Sequence, residues 1–169
     1  AAAQSGAMPE GVNRLEKLQK DLETSGDNNL IAFINFRLLT TKYTVALQDQ
    51  NANFQTVHTE LLTNLERLLQ KHPKFEDAPE AALQLAMGHE FVGDETNAIQ
   101  WYEKIVTDYS DSAPSRKATG AIRRLKSVGQ TMVLKGTTLD RRTFDLAAFK
   151  GRVVLVQYWA TWCEPCKED

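Results

Sequence analysis

At 169 residues the chain has room for one ordinary domain, or for one domain and a piece of another. Its composition, 42% hydrophobic and 25% charged, is that of a soluble globular protein, and no apolar run approaches the length of a bilayer span. A formal net charge of −2 gives no electrostatic case for nucleic acid or for an anionic membrane surface. Residues 1–10 are mostly small and polar and are expected to form a flexible terminus. The stretch just after a cleaved signal peptide would look the same, and the first residue is Ala, not Met.

From Gly11 to Gly129 the pattern is helical almost throughout. Leu15, Leu18 and Leu22 fall on one face of a first helix, with Arg14, Glu16, Lys17, Lys20 and Asp21 around the rest. Ser25-Gly26-Asp27-Asn28 reads as a turn and cap. A second helix, about Asn28–Leu47, carries Leu30, Ile31, Phe33, Ile34, Phe36 and Leu38, apolar on more than one side and so expected to be deeply packed. After the loop at 49–53 a third helix, about Phe54–Lys71, sets Val57, Leu61, Leu65, Leu68 and Leu69 on one stripe, and Pro73 ends it.

The next part repeats. Asp77-Ala78-Pro79-Glu80 and Ser112-Ala113-Pro114-Ser115 lie 35 residues apart, and each offers a capping side chain, then Ala, then Pro in the first turn of a helix. Between them the sequence predicts a helical hairpin. Ala82, Leu85, Ala86 and His89 face inward from one arm, and Ala98, Trp101, Tyr102, Ile105 and Val106 from the other, with Gly93-Asp94 as the turn. The period and the Ala82-x-x-Leu85-Ala86, Gly93, Ala98, Tyr102 and Ile105 pattern resemble the tetratricopeptide repeat. Two positions that are usually bulky and aromatic in that repeat hold Ala82 and His89, so the match is degenerate. A final helix is expected over Ala113–Val128, with Ala118, Ala121, Ile122 and Leu125 inward.

Stacked helical hairpins leave a concave surface of the kind that binds peptides or proteins, and this domain is expected to do so. The plainer use is a spacer or dimerisation module. His89 reads as a packed histidine, and Trp101 and Tyr102 as core. Arg116, Lys117, Arg123, Arg124 and Lys126 make a basic final helix, read as a solvated face. Gly129 is a helix stop, so the domains divide into a terminus at 1–10, a helical domain at 11–129 and a second segment at 130–169.

The second segment holds the chemistry. Val153–Trp159, apolar and rich in β-branched residues after Gly151, is expected to be a buried strand. It runs into Ala160-Thr161-Trp162-Cys163-Glu164-Pro165-Cys166, which contains both cysteines of the chain. Two cysteines at this spacing can close a small disulfide when the first precedes a helix and the second lies in its first turn. The unpaired N–H groups there favour a thiolate. Cys163 would be the exposed nucleophile, and Cys166, more buried, the resolving thiol. Pro165 suits a first helical turn, Glu164 and Lys167 oppose one another electrostatically, and Trp162 would cover the sulfur on one side.

Other uses of two cysteines fit less well. Haem attachment needs His after the second Cys, where Lys167 stands. Zinc needs two more ligands, and His58, His72 and His89 all lie in the helical region. The peroxiredoxin pattern wants Thr three residues before the cysteine, and Thr161 is two before Cys163. A pair of inert buried thiols is the remaining alternative, and the Trp-Cys-x-Pro-Cys context favours redox chemistry over it.

Gly136-Thr137-Thr138-Leu139-Asp140, Phe144-Asp145-Leu146, Phe149–Val156 and Tyr158–Cys166 together resemble the thioredoxin-fold thiol–disulfide oxidoreductases of the TlpA-like (redoxin) branch. The resemblance covers about residues 132–169. It implies a β-hairpin at Met132–Phe144, a helical turn at Asp145–Phe149 and then a central strand. It also implies Cys163 as attacking and Cys166 as resolving thiol, protein thiols and disulfides as partners, no organic cofactor or metal, and an extracytoplasmic, periplasm-facing bacterial setting. Arg141 departs from the family, which often has Gly there. The remaining strands, the closing helix and a cis-proline loop do not follow Asp169, so the sequence reads as part of a redox domain, cut after its motif and short of full oxidoreductase activity by itself. The fold class expected is therefore mainly α: tetratricopeptide-like hairpins followed by the first part of an α/β thioredoxin-like domain. The competing functional class is a non-enzymatic interaction scaffold.

Overall fold

A computed structural model of the chain describes residues 10–22, 24 and 26–168. The expected flexible terminus, apart from Glu10, lies outside the described residues, as does Ser25 of the first turn. The fold is mainly α. The chain divides into two compact units after Val128.

The first unit is six helices: α1 Gly11–Leu22, α2 Asn28–Ala46, α3 Phe54–Lys71, α4 Ala78–Phe91, α5 Glu95–Asp108 and α6 Ala113–Leu125. Each packs on the next, and α4 also meets α6. The starts of α2, α3, α5 and α6 are set by side chains that accept a backbone N–H three residues on: Asp27 from Leu30, Asn53 from Thr56, Asp94 from Asn97 and Ser112 from Ser115. The sequence places Asp77 in the same role, but its side chain makes no cap. Its carboxylate instead takes a charge-assisted bond from Arg37 of α2 at 2.7 Å. The last helix stops at Leu125, not Val128, because its end is closed by turns at Lys126 and Ser127. No helix among the described residues is long and apolar enough to cross a membrane.

α4 organises the core of this unit. Ala78, Ala81, Ala82, Leu83, Leu85 and Ala86 are all buried, so the helix is packed against α3, α5 and α6 on all but the face that carries Glu80, Gln84, Met87 and Phe91. Phe36, Leu65 and Ile105 join Leu85 as the large, fully buried side chains, and Phe36 meets Phe75 edge-on at 6.1 Å. Approach of α3 to α4 is closest at Gly88, where an added Cβ would stand 2.3 Å from Leu62 Cδ2. The stripe of α3 is rotated from the expected one. His58, Leu62, Leu65, Leu68 and Leu69 are buried, whereas Val57 and Leu61 are half-buried. His89, Trp101 and Val106, all expected to face inward, are half-buried. The turn between α4 and α5 needs a left-handed residue, and Gly93 supplies it at φ 78°.

The second unit is sparse. β1 Lys135–Thr137 pairs antiparallel with β2 Thr143–Asp145, in the register Lys135–Asp145, Gly136–Phe144, Thr137–Thr143. A short 3-10 helix, Leu146–Phe149, and a four-residue α7, Pro165–Glu168, complete its regular structure. The expected buried strand at Val153–Trp159 does not form: the segment has no ladder partner among the described residues, and Leu155 is 92% exposed. The physical reason is that a strand, unlike a helix, cannot satisfy its own backbone, and β1 and β2 pair only with each other.

Candidate functional site

The route to the dithiol is built from local bonds. In the hairpin turn, the Thr138 N–H donates to Arg142 O and the Arg141 N–H to Thr138 O, each at 2.9 Å. Arg141 takes φ 64°, a left-handed conformation that a side chain disfavours; this is the position where the sequence resemblance expects Gly. Asp140 pairs with the Arg142 guanidinium, which, with a bond from the Thr138 hydroxyl, holds its carboxyl below the usual range. Asp145 accepts from the Ala147 N–H at 2.9 Å and meets Lys135 at 3.0 Å, and these two hold its carboxyl low in that order. The cap starts the 3-10 helix, and Phe144 packs against Phe149 with ring centroids 5.8 Å apart.

At the other end of the extended segment the chain turns. The Cys163 N–H donates to Ala160 O at 3.1 Å, and α7 begins at Pro165. Cys163 therefore precedes the helix and Cys166 is its second residue, the arrangement expected from the spacing. Cys163 and Cys166 are joined by a disulfide, with Cα atoms 5.3 Å apart. Both are half-buried, so the expected contrast of an exposed first and a buried second cysteine is not seen. Glu164 and Lys167 neutralise each other across 2.7 Å, one turn of helix apart. Trp162 is 85% exposed and does not cover the sulfurs as the sequence led one to expect. It lies at the end of the unpaired extended segment, where no second layer is available to pack it.

His58 of the helical unit serves packing. The Gly88 carbonyl can only accept, so His58 Nε2, at 3.0 Å, donates to it, and Nδ1 accepts from the Tyr43 hydroxyl at 3.0 Å. One ring thus ties α2, α3 and α4, stacked on Phe54 at 5.1 Å. The sequence signal for this was the spacing of His58, Leu62, Leu65 and Leu69, which continues one face of α3. His89 Nδ1 lies 3.1 Å from Asp94, whose carboxyl is held low mainly by two bonds from Asn97, with His89 adding to them. Tyr102 is buried and donates to Glu90 at 2.9 Å; burial first, then Glu90, raises its phenol. Two cations of the basic last helix region are paired inside the unit, Arg124 with Glu90 at 2.6 Å and Lys126 with Glu103 at 2.5 Å. No group of three His, Cys, Asp or Glu among the described residues could hold a metal ion.

Comparison with known proteins returns short matches. The chain is 42% identical over 31 residues to the thiol-disulfide oxidoreductase ResA of Oceanobacillus iheyensis, covering 18% of this chain and 16% of that protein. It is 39% identical over 33 residues to the ResA proteins of Bacillus thuringiensis subsp. konkukian and Bacillus cereus, covering 20% of this chain and 19% of each. The likeness is to thiol–disulfide oxidoreductases. The chain spans less than a fifth of the length of these relatives. No family model matches it, and no solved structure matches it.

Proposed function

We propose that this chain takes part in thiol–disulfide exchange on protein partners through Cys163 and Cys166. The observation that carries the reading is the disulfide itself, closed by the only two cysteines of the chain at the start of α7. The Trp162-Cys163-Glu164-Pro165-Cys166 context and the short likeness to ResA support it. In the exchange a partner thiolate attacks Cys163 Sγ, the Cys163–Cys166 bond breaks, and Cys166 leaves as a thiolate. A second partner thiolate then attacks the partner sulfur of the mixed disulfide. Cys163 leaves in turn, the partner gains a disulfide, and the chain holds the electron pair as two thiols. The reverse sequence reduces a partner disulfide. Trp162, Glu164 and Pro165 are the neighbours of the reacting atoms in this scheme, and it needs no metal or organic cofactor.

The helical unit, in the same reading, is a tetratricopeptide-like interaction domain that recruits the polypeptide to be oxidised or reduced. The setting is extracytoplasmic, by the family resemblance. Serine variants test the division of labour. With a disulfide-bonded polypeptide such as insulin, reduced Cys166→Ser is expected to accumulate a mixed disulfide through Cys163, and Cys163→Ser to accumulate far less, as read by intact mass. Equal trapping by both variants would remove the assigned roles. No trapping by either would leave the helical unit as the working part of the chain.

A further inference from the structure

Two charged residues adjoin the dithiol along the chain, Glu164 directly after Cys163 and Lys167 directly after Cys166. Their side chains meet, Lys167 Nζ donating to Glu164 Oε2 at 2.7 Å. The backbone holds them on one turn, because the Lys167 N–H donates to Glu164 O at 3.0 Å. The disulfide closes the overlapping turn from Cys163 to Cys166. A redox bond and an ion pair therefore lie side by side, each joining residues three apart. Glu168 is two residues beyond Cys166 and so about 200° further round α7.

Both side chains are exposed, and an ion pair in water adds little to stability. Its consequence lies in the field at the sulfurs. An attacking thiolate brings one negative charge of its own. At about 6 Å in water, a single fixed charge changes the rate of such an approach by about threefold for each charge on the incomer. A lone Glu164 carboxylate would thus slow every thiolate, and an acidic partner most. A lone Lys167 would do the reverse. Held 2.7 Å apart, the two present a dipole, whose field falls off faster than that of either charge.

We infer that Lys167 is a specificity-determining residue of the dithiol. By neutralising Glu164 it leaves Cys163 open to thiols of either charge, so the site itself takes acidic and basic polypeptide segments alike. This rests on the thiol–disulfide exchange proposed for Cys163 and Cys166.

The test opens the disulfide of the whole chain with two small thiols. Cysteamine is uncharged overall as its thiolate, and mercaptopropionate carries two negative charges. With either, one thiolate attacks Cys163 Sγ and Cys166 leaves as a thiolate. A second thiolate then attacks the small-molecule sulfur of the mixed disulfide, releasing Cys163 as a thiolate and a small-molecule disulfide. Rates are read by alkylation and intact mass at about 0.01 M and about 1 M salt, between which the screening length falls from about 30 Å to about 3 Å. In the parent, the ratio of the two rates should change by less than about twofold between these salts. In Lys167→Met, mercaptopropionate should react about threefold or more slowly at low salt and recover at high salt, with cysteamine little changed. Glu164→Gln should speed mercaptopropionate by a similar factor at low salt, and Lys167→Arg should match the parent. A merely structural role would move both thiols together at both salts. A parent ratio that changes about threefold or more with salt, or Lys167→Met behaving as the parent, would overturn the assignment and leave exchange standing. A disulfide that neither thiol opens would overturn both.

Discussion

The two units differ in how their backbone is satisfied. In the first, five helices from α2 to α6 close their own hydrogen bonds and bury one continuous apolar cluster around α4. In the second, none of the described residues is buried, and its longest apolar stretch, residues 153–159, stands extended without a ladder. The stretch has more β-branched and aromatic character than any helix, yet hydrophobicity alone gives it no structure. A helix needs only a neighbour to cover one face, whereas a strand needs a neighbour to complete its backbone.

The sharpest way to break this contrast is the same truncation in both units. Leu85→Ala deletes a fully buried side chain and should cost about 2–5 kcal/mol in denaturant unfolding followed by helical circular dichroism. Leu155→Ala removes a side chain already in water and should cost less than about 0.5 kcal/mol. A large loss at Leu155 would show that the extended segment packs after all.

Next in size is His58. His58→Leu keeps the apolar contacts but strands the Gly88 carbonyl and the Tyr43 hydroxyl, for an expected cost of about 1–3 kcal/mol. If His58→Leu unfolds at the same denaturant concentration as the parent, the three-helix tie carries no stability.

Acid should weaken the helical unit through His72. Burial, with Lys71 second, lowers its folded pKa from the ordinary 6.5, so the unfolded chain binds the proton more readily. The stabilising contribution is complete above 6.5 and is lost as pH falls through the folded value. Melting temperature should therefore drop from pH 7.5 to 5.5, and His72→Gln should flatten that slope.

The smallest expected effect is in the hairpin. Arg141→Gly removes the left-handed strain at φ 64° but adds freedom to the unfolded chain, for a net gain of about 0.5–1 kcal/mol. Amide exchange at Thr143–Asp145 should slow by about two- to fivefold.

The same contrast explains what was legible in the sequence. The bounds of α3 could be read in full, because Asn53 caps one end and Pro73 follows the other. Burial on α3 was read correctly at Leu65, Leu68 and Leu69 and one residue off at Val57 and Leu61, since Leu61 and Leu62 are the same residue type and only the position of α4 decides between them. Asp77 looked like a cap and is an ion-pair partner, because Arg37 lies 40 residues earlier and the pairing exists only after folding. The dithiol was legible as a local motif, and its closure needed only the turn at Ala160 and the first residues of α7. The exposure of Trp162 was not legible, because what covers a side chain is set by distant chain.

The redox reading is tested most directly by equilibrating the chain with graded ratios of reduced to oxidised glutathione, then alkylating free thiols and weighing the intact chain. One intramolecular disulfide between Cys163 and Cys166, made and broken reversibly with a midpoint between about −270 and −120 mV, is the expected result. Thiols that are alkylated at every ratio, or that form disulfides only between chains, would contradict it.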